Sequence, residues 1–340
     1  MSRKSWYSIR ICAIIISFHI EIIEIRKREG GFMQSALLIG NGLNRCYKGA
    51  IPWDKLLERI ANEYNVQFND NNPFPLEFES IANQILDKDK RDANEVYDEL
   101  KAKIASMVCS QSPTSNSLQR LFTLDIPADQ ILTTNYDYML EKAFTEEPEP
   151  KPSSQDKRET KYSLFRFEKH RGKTFYHIHG EAGKGQSLCL GYEHYAAYLS
   201  KMREYLKAPP GVSEKIFKAE WLKKHSWVDL FFTHDVYIVG LTLETNEIDL
   251  WWLLTYRAFL YYSNDSGLRD IMKNRIKIFL TRNNPDQQDL FHNLHVETEL
   301  IEVRDKSYED AYREIAKKIK QEIFARNHKG NYNKQGRNML

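Results

Sequence analysis

Two short segments of this 340-residue chain gather side chains able to hold a ligand and move a proton. Thr133-Thr134-Asn135-Tyr136-Asp137 sets hydroxyls, an amide and a carboxylate side by side, and His177-Ile178-His179-Gly180 supplies two imidazoles at i and i+2. Capping a helix takes one Ser, Thr, Asn or Asp, so the first cluster exceeds what capping by Thr134 or Asn135 requires. Imidazole titrates near neutrality, and His179, beside a glycine, is the better placed general base. His177, inside the apolar run, reads as a core histidine. A pair at i and i+2 on one face of a strand could also bind a metal, but no third Asp, Glu or Cys stands at a ligand spacing, so no metal is expected. In Gly40-Asn41-Gly42-Leu43-Asn44-Arg45 the glycines let backbone approach a phosphate or ribose, with the N–H groups of the next helix turned to the anion. The third glycine of the dinucleotide fingerprint is missing, so this motif alone also fits a tight turn. Gly240-Leu241-Thr242, followed by Glu247 and Asp249, repeats the pattern of a glycine leading into a helix, whose N-terminus Asp249 would favour.

These residues need a scaffold, and the hydrophobic pattern supplies one. Apolar runs at 36–39, 130–132, 174–179, 236–239, 276–280 and 300–303 read as strands. Stripes at i, i+3, i+4, i+7 predict helices at 53–64, 78–86, 95–108, 138–144, 192–206, 248–260 and 308–324. Short strands alternating with helices give an α/β class: a Rossmann-like parallel sheet with helices on both faces and helical insertions. Ligands of such sheets sit at the carboxyl ends of the strands, where all four polar clusters fall. The helix from Ile248, with Trp251 and Trp252 as core rather than a stacking platform, is apolar nearly all round through Tyr262. It is therefore buried in its own core or shared with another subunit.

Composition narrows the class. With 41% hydrophobic residues, 28% charged and a net charge of +2, the chain can bury a core and shows no electrostatic footprint for direct nucleic-acid binding. Cys12, Cys46, Cys109 and Cys189 are too scattered for a zinc ribbon and read as buried thiols of a reducing cytoplasm. Residues 1–32 read as a non-native or disordered extension, because Met33 leads directly into the first strand; His19, Glu21 and Glu24 interrupt the apolar stretch around Ile11 to Phe18, and no cleavage site follows, against a signal peptide. That stretch is far shorter than the roughly 20 residues of a membrane span. One catalytic domain is expected over 33–325, with a mobile proline-containing loop at 145–160 and a disordered basic tail at 326–340.

Taken in order, G-N-G-L-N-R, T-T-N-Y-D, H-I-H-G and I-V-G-L-T-L with a later acidic residue resemble the sirtuin-like NAD-hydrolysing domain of bacterial anti-phage defence proteins. The resemblance spans about 35–260. It implies NAD as substrate, Asn135 and His179 as catalytic residues, and Gly40, Asn41, Gly42, Asn44, Asp137, Gly240 and Thr242 as NAD-contacting positions. Thr134 joins them from the polar cluster. The chain lacks the zinc-ribbon cysteines of lysine deacylases, which leaves deacylase or ADP-ribosyltransferase activity the weaker expectation. Cleaving a nicotinamide–ribose bond passes through an oxocarbenium-like state with a leaving group that is already cationic, so the site must hold the ribose, exclude solvent and position one water. Asn135 suits orientation of that water or of the ribose hydroxyls, and neutral His179 suits removal of its proton. The resulting expectation is an NAD glycohydrolase that depletes NAD in abortive infection, as a homo-oligomer of low basal turnover activated by a partner such as a DNA-translocating ATPase or another defence subunit. The alternative is a non-catalytic NAD- or ADP-ribose-binding regulatory subunit of such a complex.

Overall fold

Strands buried on both faces set the architecture. β1 (Ser35–Ile39) and β5 (Asp235–Val239) have every residue buried, as expected of central strands in a sheet covered by helices. The computed structural model describes residues 34–146, 161–207, 226–263, 272–304 and 306–335. The expected extension at 1–32 with Met33, nearly all of the loop at 145–160, and the last five residues lie outside them.

With β2 (Gln130–Thr133), β3 (Glu168–His170), β4 (Lys173–His177), β6 (Ile276–Leu280) and β7 (Val296–Leu300), the strands form one seven-stranded sheet in the order β3-β4-β2-β1-β5-β6-β7. Every neighbouring pair is parallel except β3 with β4. The Rossmann-like α/β class stands. The chain lays down β1, β2 and β4 on one side and then returns to the other side of β1 with β5. β1 is therefore the switch point, and ligands of such sheets bind outside its carboxyl end.

Several boundaries depart from the sequence reading. The strand expected at 174–179 stops at His177, because the ladder with β2 ends where Ile178 N–H donates to Thr133 O and the chain turns at Gly180, whose φ is +98°. The strand expected at 300–303 is instead Val296–Leu300, an alternating edge strand whose Glu299 holds Lys277 and Lys318. The last helix, expected to end at Phe324, runs on to Gln335.

Numbered over the described residues, the helices are α1 (Trp53–Tyr64), α2 (Phe74–Asp89), α3 (Ala93–Cys109), α4 (Ser117–Arg120), α5 (Met139–Thr145), α6 (Tyr192–Leu206), α7 (Trp227–Thr233), α8 (Ile248–Tyr262), α9 (Pro285–Asn293) and α10 (Tyr308–Gln335). They make three layers. α6, α7 and α8 pack on the face of the sheet lined by Ala36 and Leu38, while α4, α5 and α10 cover the face lined by Leu37 and Ile39. α1, α2 and α3 form a third cluster with Tyr136, Ala182, Leu188 and Leu190, the residues just beyond the ends of β2 and β4. The helical insertion thus roofs the strand ends. Trp53 anchors it, its ring edge-on to Tyr136 at 4.7 Å.

α8 is less uniformly apolar than expected. Asp249 and Arg257 are buried along it, while Phe259 and Tyr262 stand 67% and 62% exposed. Trp251 and Trp252 are half-buried against the core, stacked on Phe291 and Tyr256 respectively. Cys109 is exposed, unlike the buried Cys189, so the thiols are not uniformly buried. No helix among the described residues is long and apolar enough to cross a membrane.

Candidate active site

The loop after β1 and the loop after β5 press together through their glycines. Gly40 N–H donates to Val239 O, and Gly42 N–H donates to Gly240 O at 2.8 Å. A Cβ on Gly40 would sit 2.5 Å from Gly240 O, and one on Gly42 would sit 2.8 Å from Gly240 Cα. Gly240 itself has φ +66°, a conformation glycine adopts without steric cost. Backbone therefore packs on backbone at the carboxyl ends of β1 and β5, with no room for a side chain.

The polar turn after β2 is fastened to this loop. Thr133 Oγ1 donates to Ile39 O and accepts from Asn135 N–H, and Asn135 Nδ2 reaches Gly40 O at 3.4 Å. Asn135 is 2% exposed, and its Oδ1 has no hydrogen-bond partner. A buried carbonyl left unpaired at the end of the central strands is an acceptor waiting for a ligand hydroxyl or water. Asn44 donates to Asp137 Oδ2 at 2.9 Å and accepts from Gln119, while Asp137 Oδ1 takes the Met139 N–H that opens α5. Burial raises the Asp137 carboxyl above its ordinary value, against the pull of Met139 N–H and His177. Asp137, rather than Thr134 or Asn135, serves the helix start.

The two histidines part company. His177 contacts α5 on one face of the sheet, while His179 contacts α8 and α6 on the other, so they do not share a strand face as their spacing suggested. The cause is the early end of β4, after which His179 is carried in a turn. His179 Nε2 is 2.9 Å from Asp249 Oδ2, and Tyr195 packs edge-on to its ring at 5.3 Å. Burial opposes the charged imidazole, yet the charge and hydrogen bond of Asp249 outweigh it and hold His179 above the ordinary 6.5. With Nε2–H given to Asp249, Nδ1 makes no protein hydrogen bond among the described residues and is the nitrogen able to take a proton. Half-buried Glu247 lies near the pair; burial, with Asp249 and Glu244, pushes its carboxyl up to about 7.

Gly40, Gly42, Asn44, Thr134, Asn135, Asp137, His179 and Gly240 therefore meet at the ends of four adjacent strands. Thr134 is buried there and Asn41 half-buried. Thr242 is exposed, its hydroxyl 3.4 Å from Glu244 Oε1. Asp249, Glu141 and Glu247 were not singled out as site residues by type and spacing; each lies on or at the start of a helix far from its partner in sequence. No group of three or more His, Cys, Asp or Glu positioned for a metal occurs among the described residues.

Residues 129–252 match the SIR2-like domain family. Over 177 residues the chain is 28% identical to the NAD(+) hydrolase ThsA of Bacillus cereus (strain MSX-D12), an overlap covering 52% of this chain and 34% of that protein. The match thus takes in about a third of the relative's length. The sirtuin-like resemblance read from the motifs is borne out: the segment carrying Asn135, His177, His179, Gly240 and Asp249 matches the SIR2-like domain family.

Proposed function

We propose that the chain is an NAD glycohydrolase, cleaving NAD and water to nicotinamide, ADP-ribose and a proton. The observation that carries this reading is the convergence of a buried, unpartnered Asn135 Oδ1 with a carboxylate-backed His179 at a glycine-lined switch point. The similarity to an NAD hydrolase supports the same reading. Asn135 would hold the attacking water or a ribose hydroxyl, the loops of Gly40, Gly42 and Gly240 would receive the pyrophosphate and ribose, and His179 Nδ1 would take the water's proton. Asp249 fixes the tautomer and steadies the imidazolium that forms, the arrangement of a base oriented by a third group. Nicotinamide departs with the bonding electron pair and needs no protonation.

Asn135 and His179 are 2% and 3% exposed, so substrate entry requires the site to open, and that supports low turnover in the resting chain. In this reading one catalytic unit spans 33–325 and acts in the cytoplasm as a homo-oligomer. It depletes NAD in anti-phage defence, and a partner, such as an ATPase or another subunit of the defence system, releases its activity. Thr242 and Asn41 complete the NAD contacts.

The test is chromatography of NAD incubated with the purified chain, alone and with its genomic neighbour. Nicotinamide and ADP-ribose should appear in equal amounts, and Asn135→Ala and His179→Ala should each abolish both while melting as the parent does. NAD bound but never cleaved in either condition would favour the non-catalytic regulatory subunit.

A further inference from the structure

His177 lies outside the proposed chemistry, yet its surroundings are not those of a passive core residue. Its Nδ1 is 2.8 Å from the backbone carbonyl oxygen of Asn135, and its Nε2 is 2.8 Å from Glu141 Oε1 on α5. Both partners are acceptors, so both ring nitrogens must carry hydrogen for both contacts to be bonds. Both side chains are buried, with Tyr138 edge-on to the imidazole at 5.2 Å, and Glu141 Oε2 has no other partner. The groups facing the ring are Glu141 and Tyr138 around the start of α5, Asp137 in the turn before it, and Glu181 beyond β4, itself paired with Arg166 and Tyr138. Three carboxylates surround one imidazole.

We infer that His177 and Glu141 are a positioning pair: a doubly donating imidazolium, backed by the Glu141 carboxylate, grips the carbonyl of Asn135 and so fixes the turn that aims the Asn135 side chain into the site. This inference rests on the hydrolase reading for its catalytic consequence, but the grip itself is a property of the free protein. Burial works against the charged ring, and Glu141, Glu181 and the Asn135 carbonyl together carry it up to about 9. Above that pH the ring keeps Nε2–H on Glu141 and turns a lone pair toward the Asn135 carbonyl, so the grip becomes a repulsion. In Glu141→Gln a neutral ring suffices: Nδ1–H still donates to Asn135 O while Nε2 accepts from the Gln amide.

The experiment has two arms on the full chain. In the first, with histidine and tyrosine labelled with nitrogen-15, His177 should show two protonated ring nitrogens from pH 6 to 8. The Tyr136 backbone amide, bonded to the gripped carbonyl, should shift with the His177 midpoint. Glu141→Gln should give a single neutral tautomer. In the second arm, with NAD as probe, Glu141→Ala should lower kcat about 10- to 100-fold with KM little changed, as a small misplacement of a reacting group does. Glu141→Gln should restore most of that loss, and the fall in rate expected of the parent above the His177 midpoint should be absent from it. A neutral His177 at pH 7, or a Tyr136 amide indifferent to its titration, overturns the pair whether or not NAD is cleaved. Equal kcat in Glu141→Ala and the parent overturns its catalytic use. Both nuclear signatures with no NAD cleavage in any condition would sink the hydrolase reading and leave the grip standing. If Glu141→Ala fails to fold, the Glu141→Gln tautomer and pH profile decide alone.

Discussion

Asp249→Asn isolates what a carboxylate adds to His179. The substitution keeps size and shape at a site with no exposure, so packing around α8 should survive. The 2.9 Å contact with His179 joins two buried groups, and a charge-assisted hydrogen bond of that kind contributes about 1.5–3 kcal/mol. If the bond strengthens as His179 takes the water's proton, its loss falls on the transition state and lowers kcat about 10- to 150-fold, at 1.36 kcal/mol per decade. The pH dependence gives an independent sign. The base must be neutral to act, and Asp249 holds its pKa above 6.5, so the parent's rate should rise with pH through a midpoint above that value. Without the carboxylate, burial is opposed only by Glu247 and pulls the midpoint down from the parent's. The variant should reach its plateau at lower pH, but the plateau should be far lower. Nicotinamide release measured from pH 5.5 to 9, with melting curves of both proteins, reads both effects. An unchanged plateau with an unchanged acid limb, or a loss confined to KM, would refute the assignment of Asp249 as the group that orients the base.

Gly40→Ala should lower stability by about 1–3 kcal/mol and cut NAD turnover, because its Cβ would meet the Gly240 carbonyl, which is backbone and cannot swing away; denaturant titration and the nicotinamide assay check it. His194 is buried and held at about 3, its Nδ1 accepting the Leu190 and Gly191 N–H groups at the start of α6. His194→Ala should cost about 1–3 kcal/mol through those orphaned donors, while cleavage per folded molecule stays normal. His177 works in the opposite pH direction: its raised pKa contributes stability that is complete below 6.5 and lost as pH climbs through about 9. Melting temperature should therefore fall across that window in the parent and less so in Glu141→Gln.

The sheet was legible where strands are buried on both faces and illegible at its edges. β1, β5 and β6 announce themselves as apolar runs. Glu168-Lys169-His170 does not, because an edge strand with exposed residues follows no hydrophobic rule. β7 alternates Val296, Thr298 and Leu300 with Glu297 and Glu299, and those carboxylates meet Arg275, Lys277 and Lys318, a charge pattern that points to a strand only once its partners are in place. At the site, Asn135 and the glycines were readable because strand-end loops use residue types that elements do not. Asp249 and Glu141 were not, being ordinary acidic residues near helix starts, 70 and 36 positions from the histidines they serve. Nothing in local spacing connects such pairs; the crossover topology does.

The division between His177 and His179 shows what the sequence signal contained and what it lacked. Residue type made both candidates, and the following glycine favoured His179. The deciding physics is how many ring nitrogens the protein claims. At His177 two acceptors hold both, so the ring has no lone pair to offer and can only bind. At His179 one carboxylate holds Nε2, leaving the other nitrogen for a substrate's proton. Carboxylates raise both pKa values, yet the consequences are opposed, because a gripping imidazolium works only while charged and a base works only once neutral. Moving from His177 to His179 takes the chain off the end of a strand, through one residue, and across the sheet from α5 to α8. In that step, on the proposed reading, the same side chain changes from a fastener of the Asn135 turn into the group placed to act beside it.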